Sequence, residues 1–214
     1  MSEPASDSMT RSELASDSMT RAEPASGSTT SAEVLVQPQV FNFVDFDAER
    51  IGGVARTLLG QVGVEVPLRL EIDEGTPLGR AWLTSLEPLV LAVESGAFED
   101  PKRPRQLSDR SIVDTLGRLL FRVKDRLDPA FGEVPADEDL DLAQSVAWDS
   151  YAVGRIARLG YPAQRQRRLY HFRNRHGFSD TADAAFARLW EGEGLTWADV
   201  QAVCDETAAN RTVA

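Results

Sequence analysis

The hydrophobic pattern of this chain is mainly that of β-strands before residue 94 and that of helices after Ser108, and this division constrains the fold class. Between residues 34 and 93, several short segments alternate apolar and polar residues or are apolar throughout, which is typical of β-strands. After Ser108, apolar residues recur at spacings of three and four, which predicts helices. Because the strands precede most of the helices, we expect an α+β fold: a small mixed or antiparallel sheet followed by a helical C-terminal half.

The first half contains one helix among the predicted strands. Val34–Phe46 is rich in β-branched and aromatic residues, but Pro38 limits it to an edge strand or to two short pieces. Asp45 or Asp47 is placed to cap a helix that Gly63 ends. Three more strands are predicted, over 66–73, 80–86 and 89–93. Residues 96–105, with two prolines and a glycine, predict a loop whose length and mixed charge are common in functional loops.

The remaining segments favour helices separated by one acidic loop. Helices are predicted over 108–127, 142–159, 163–175, 181–191 and 197–208, with the acidic loop at 129–140. Thr196 and Asp199 form a capping box for the last helix. We therefore expect an α+β half over 34–130 and, packed on it, an acidic loop with a helical half over 131–214.

The N-terminal residues are a tandem repeat that lacks core-forming side chains. Residues 2–31 are three 10-residue units without Val, Ile, Phe, Trp, Tyr or Cys. Such units cannot offset the cost of ordering the backbone, about 1–2 kcal/mol per residue. This composition predicts a disordered tail over 1–33. The alternative is a repeated docking or phosphorylation segment, since each unit carries Ser and Thr hydroxyls.

Composition excludes several classes of protein. The one cysteine, Cys204, excludes an internal disulfide framework and multi-cysteine zinc sites, and it fits the apolar stripe of the last helix. No apolar run approaches the length of about 18 residues that a membrane span needs, and the N-terminus lacks an apolar signal segment. We expect a cytoplasmic protein that does not bind a membrane, a metal or a cofactor.

Charge is unevenly distributed along the chain. The formal net charge is −11, yet residues 150–179 contain seven arginines and no acid. These are Arg155, Arg158, Arg165, Arg167, Arg168, Arg173 and Arg175. Just upstream, residues 133–141 hold five acids. One basic element in an acidic chain predicts either a binding surface for an anion or a set of internal ion pairs.

The first hypothesis is an interaction or regulatory protein that binds an anionic partner through residues 155–175. Arginine binds phosphate through a planar set of donors, and aromatic rings interleaved with arginines stack on bases. The partner would be nucleic acid, through its phosphates, or an acidic protein; the negative net charge weighs against nucleic acid. The predicted binding residues are Arg165, Arg167, Arg168, Tyr170, Phe172, Arg173 and Arg175.

Two alternatives stay open. An enzyme acting on a phosphorylated or other anionic small substrate would use His171 or His176 as its acid/base. A scaffold protein would instead pair its arginines internally, for example with the acids of 133–141. Asp149, within the apolar helix 142–159, needs a partner of its own, and Arg118 or Arg122 of the preceding helix is within reach.

Overall fold

Strands and helices occur in the expected order in the computed structural model, which describes residues 32–213, with side chains through Asn210. The strands are β1 (Val34–Gln37), β2 (Leu68–Asp73), β3 (Ala81–Leu86), β4 (Leu89–Glu94), β5 (Glu99–Asp100) and β6 (Arg103–Leu107). The helices are α1 (Ala48–Val62), α2 (Asp109–Leu127), α3 (Leu142–Arg158), α4 (Arg165–His176), α5 (Asp180–Glu191) and α6 (Trp197–Val213). The predicted α+β fold, with a small mixed sheet and a helical C-terminal half, is confirmed. The repeats lie outside the described residues.

The main sheet has four strands in the order β1-β2-β4-β3. β1, β2 and β4 are parallel, and β3 pairs antiparallel with β4 at the other edge. β1 is an edge strand that ends before Pro38, as expected from a residue that cannot donate a backbone hydrogen bond. In β2 the predicted alternation is confirmed: Leu68, Leu70 and Ile72 are buried and the residues between them are exposed.

Most helices begin and end close to where local signals place them, but α6 continues five residues beyond the predicted end at residue 208. The Asp47 side chain accepts hydrogen bonds from the backbone N–H groups of Glu49 and Arg50 and caps α1. Gly63 ends that helix in a left-handed conformation with φ of 77°. Ser108 caps α2, and Thr196 and Asp199 form the predicted box before α6. No helix in residues 32–213 is both long and apolar enough to cross a bilayer.

One hydrophobic core joins the sheet to the C-terminal helices. It extends from Val36 to Val203, and the described residues 32–213 form one unit. α2 packs against α1 on the sheet side and against α3 on the other. α3 is the most enclosed helix of the second half, and Trp148 within it is fully buried.

The predicted loop at 96–105 is instead a short β-hairpin. Glu99 pairs with Leu107 and Asp100 with Arg103 in the antiparallel pair β5–β6. Pro101 is tolerated because it lies in the turn between the strands. Pro104 lies in the exposed strand β6, whose other edge forms an isolated bridge between Gln106 and Asp45.

Candidate anion-binding surface

α4 carries all seven predicted binding residues, and its burial pattern separates those that face the core from those that face solvent. The helix contains no acidic residue. Phe172 and His176 are buried and Leu169 is partly buried, at the spacing of three and four that defines one helix face. This face packs on α3, α5 and α6. Residues on the opposite side of α4 are in contact with solvent.

Three of the predicted arginines are held by carboxylates of neighbouring helices. These hydrogen bonds attach α4 to α2 and α5. The hydrogen bond from the Arg173 guanidinium lowers the pKa of the Asp183 carboxyl below its usual value. The closest N–O distances are 2.7 Å for Arg165–Glu191, 2.6 Å for Arg168–Asp114 and 2.5 Å for Arg173–Asp183. Internal pairing therefore accounts for these three side chains.

Phe172 requires a correction, because it was predicted to stack on a partner. Its side chain is fully buried. The ring is stacked on His176, with centroids 3.8 Å apart, and meets Phe186 edge-on at 5.6 Å. Phe172 is a core residue because its position falls on the inward face of α4, between Leu169 and His176.

The two histidines lie on different sides of α4 and do not form one site. His176 is buried; its Nδ1 is 2.7 Å from Thr207 Oγ1 and its Nε2 is 3.1 Å from the carbonyl oxygen of Ala143. His171 is exposed. Five residues correspond to about 140° around a helix, which explains why the rings point apart. Of the two candidate acid/base residues, His176 is therefore enclosed in the protein and only His171 is open to a substrate.

The remaining predicted residues share the solvent face of α4. Tyr170 is 56% exposed, and Phe178, which follows the helix, is 67% exposed. The Tyr170 ring meets Phe178 edge-on at 6.1 Å and His171 at 6.3 Å. We call this surface the α4 face; it consists of Arg167, Tyr170, His171, Asn174, Arg175 and Phe178, all exposed. It combines cationic groups with accessible rings.

The arginines of α3 are structural. Arg155 donates to both carboxylate oxygens of Asp125 at 2.6 Å, and Trp148 Nε1 donates to Asp125 at 2.7 Å. Arg158 donates to the carbonyl oxygens of Trp190 and Gly192 at the end of α5. Neither side chain is therefore available for the predicted anion surface.

Asp149 has the partners expected from the sequence. Arg118 and Arg122 of α2 donate to its two oxygens at 3.0 and 3.2 Å. Together with the Asp125 pair described above, these contacts form the α2–α3 ion-pair cluster: Arg118, Arg122, Asp125, Arg126, Asp137, Asp149 and Arg155.

The acidic segment 133–141 does not cover the arginines as proposed for the scaffold alternative. Its Asp137 bonds to Arg122 and Arg126 of α2. The acidic partners of Arg155, Arg158, Arg165, Arg168 and Arg173 come from α2, from α5 and from the turn after α5. Internal pairing is observed, but with different acids from those of 133–141.

Two cations that sequence reasoning missed lie close to Arg167. Lys102 in the hairpin turn and Arg110 at the start of α2 line the same groove as Arg167. Among residues 32–210, these three side chains have no ion-pair partner. The available signal was the density of basic residues in 102–110, a segment with four bases and one acid. Grouping them with Arg167 required the tertiary structure.

Other chemistry finds no support in the described part of the chain. No cluster of three His, Cys, Asp or Glu side chains there is arranged to hold a metal ion. Burial raises the pKa of the Cys204 thiol to about 12, which keeps it protonated. Comparison of the chain with models of protein families, with curated proteins and with solved structures finds no match.

Proposed function

We propose that this chain is a cytoplasmic interaction or regulatory protein that binds single-stranded nucleic acid through the α4 face. The observation that carries the proposal is that exposed rings and cationic side chains share one helix surface without an acid. Guanidinium groups bind phosphates, and exposed rings stack on unpaired bases. Tyr170 and Phe178 are accessible for stacking, and Arg167 lies one turn before Tyr170 along the helix.

The arrangement favours a single strand over a duplex. Bases in a duplex are stacked on each other, so rings on a convex helix surface reach them only where a strand is unpaired. The net charge of −11 repels polyanions at long range. We therefore expect modest affinity that depends steeply on salt and is greatest at low ionic strength.

The test is a fluorescence anisotropy titration of labelled single- and double-stranded DNA and RNA with the full chain, at several salt concentrations. Tyr170→Ala removes one stacking ring, which is worth about 1–3 kcal/mol per base, so affinity for a single strand should fall about 5- to 150-fold. Arg167→Glu should reduce the slope of log affinity against log salt by about 1.

The matched control is Arg56→Glu. Arg56 is an exposed base on α1 that, among residues 32–210, has no ion pair and lies outside the α4 face. Arg56→Glu changes the net charge by the same amount as Arg167→Glu, but it should reduce the affinity for single-stranded nucleic acid less. Equal losses in the two variants would assign binding to net charge alone and overturn the proposal, as would no binding at low salt.

A further inference from the structure

A groove of about 590 Å³ lies between the β5–β6 hairpin and the starts of α2 and α4. Its volume is within the range of small-molecule sites, about 300–1,000 Å³. Gly79 and Gly96 form part of its wall. A Cβ at Gly96 would come within 2.6 Å of the carbonyl oxygen of Leu78, so two backbone segments approach closely at this wall.

The groove brings together cations from three separate elements. Lys102 comes from the hairpin turn, Arg110 from the first turn of α2 and Arg167 from the first turn of α4. Within residues 32–210 none of the three has an ion-pair partner, although the chain as a whole is acidic. A fourth base, Arg103, is 3.5 Å from Asp100. Three unneutralised cations at one concavity indicate an anionic ligand.

The acids of the groove do not cancel this charge. Asp114 is already bonded through both oxygens to Arg168, and Asp100 is paired with Arg103. Glu99, the third acid, makes no ion pair within residues 32–210. The described lining thus has four basic and three acidic side chains, and Arg168 beside it adds another positive charge, so the groove is positively charged overall. The start of α4 adds partial positive charge, because Gln164 makes no side-chain capping bond and no acid occupies the first turn.

The lining also restricts the rest of the ligand. The carboxylate of Glu99 can accept hydrogen bonds from hydroxyl groups. The Ser108 hydroxyl and the Gln164 amide are further polar groups of the lining. None of the described residues that line the groove is aromatic, so a nucleobase would find no ring among them to stack on. Cations beside carboxylates in a polar cavity match a molecule that carries both a phosphate and several hydroxyls.

We infer that this groove binds a small polyhydroxylated phosphate ester of the sugar phosphate class. Lys102, Arg110 and Arg167 bind the phosphate, and the carboxylate of Glu99 accepts hydrogen bonds from the sugar hydroxyls. The site is separate from the nucleic-acid surface proposed above, with which it shares only Arg167. Occupancy of the groove would therefore compete with nucleic acid for that one side chain.

The experiment is isothermal titration calorimetry of the full chain with glucose 6-phosphate, inorganic phosphate, AMP and glucose. We expect saturable binding of glucose 6-phosphate at or below about 1 mM, and weaker or no binding of the other three probes. Lys102→Glu combined with Arg110→Glu should weaken that binding at least about tenfold. Arg56→Glu, which changes an exposed base outside the groove, should leave it within about twofold.

Each alternative outcome has a defined meaning. Inorganic phosphate or AMP binding as tightly as glucose 6-phosphate would overturn the assignment to sugar phosphates, and no saturable binding up to about 10 mM would overturn the site. Tyr170→Ala separates the two proposals, because it should reduce nucleic-acid binding and leave glucose 6-phosphate binding unchanged. A melting temperature measured for every variant identifies any loss of folding, and Lys102→Gln repeats the test with a milder change.

Discussion

Removal of the Asp125 carboxylate should be among the most damaging single changes to this fold. Its side chain is only 5% exposed, and its Arg155 partner is 14% exposed. In Asp125→Ala, the guanidinium of Arg155 and the indole N–H of Trp148 lose their acceptor inside the protein. Breaking a buried ion pair by deleting one partner costs about 3–5 kcal/mol, so we expect a loss of about 4 kcal/mol in the free energy of unfolding.

Urea unfolding followed by far-ultraviolet circular dichroism measures this loss. With an m-value of about 2 kcal/mol/M, the midpoint should fall by about 2 M while m stays constant. Glu191→Ala is the control, because it breaks the Arg165–Glu191 pair, whose side chains are 49% and 65% exposed. That change should cost less than about 1 kcal/mol. If Asp125→Ala cost no more than the control, the reasoning from burial would be refuted.

The remaining predictions concern packing and the single thiol. Phe172→Ala should cost about 3–5 kcal/mol in urea unfolding, whereas Tyr170→Ala should stay within about 0.5 kcal/mol; similar costs would contradict the division of α4 into two faces. Gly154→Ala should cost about 1–3 kcal/mol, because the new Cβ would overlap the carbonyl oxygen of Trp190; an unchanged melting temperature would show that α3 and α5 are not in such close contact. Cys204, with its pKa raised to about 12, should react slowly with a thiol reagent at pH 8 in the native protein and rapidly in urea, and fast native labelling would show that the thiol is accessible. Because the folded-state pKa exceeds the ordinary value of 9.0, this thiol's contribution to stability should be lost as pH rises from about 9 towards 12, and Cys204→Ala should remove that part of the pH dependence.

Local signals were sufficient for most of the fold. The cap at Asp47, the end of α1 at Gly63 and the alternation in β2 depend on neighbouring residues in the chain, and all are confirmed. The hairpin at 99–107 was missed because two prolines in ten residues indicate a loop in any local interpretation. Whether a proline lies where a strand needs a donor depends on the neighbouring strand, and the sequence of one segment does not specify that neighbour.

The candidate site was only partly accessible from the sequence, for a related reason. The basic character of α4 and the ion pairs of Asp149 follow from composition and helix geometry. Which arginines are paired depends on acids far away in the chain, such as Asp114, which is 54 residues from Arg168. The convergence of Lys102 with Arg167 is likewise a tertiary property.

Because α2 packs against both α1 and α3, its position determines how the protein unfolds. Because one face of α2 contacts α1 and another contacts α3, neither half of the chain can lose its structure without exposing apolar surface of this shared helix. We therefore expect the two halves to unfold together in one cooperative transition. A chain that ends at residue 130 would expose to solvent the apolar surface of α2 that contacts α3, so we expect that the sheet half does not fold stably by itself.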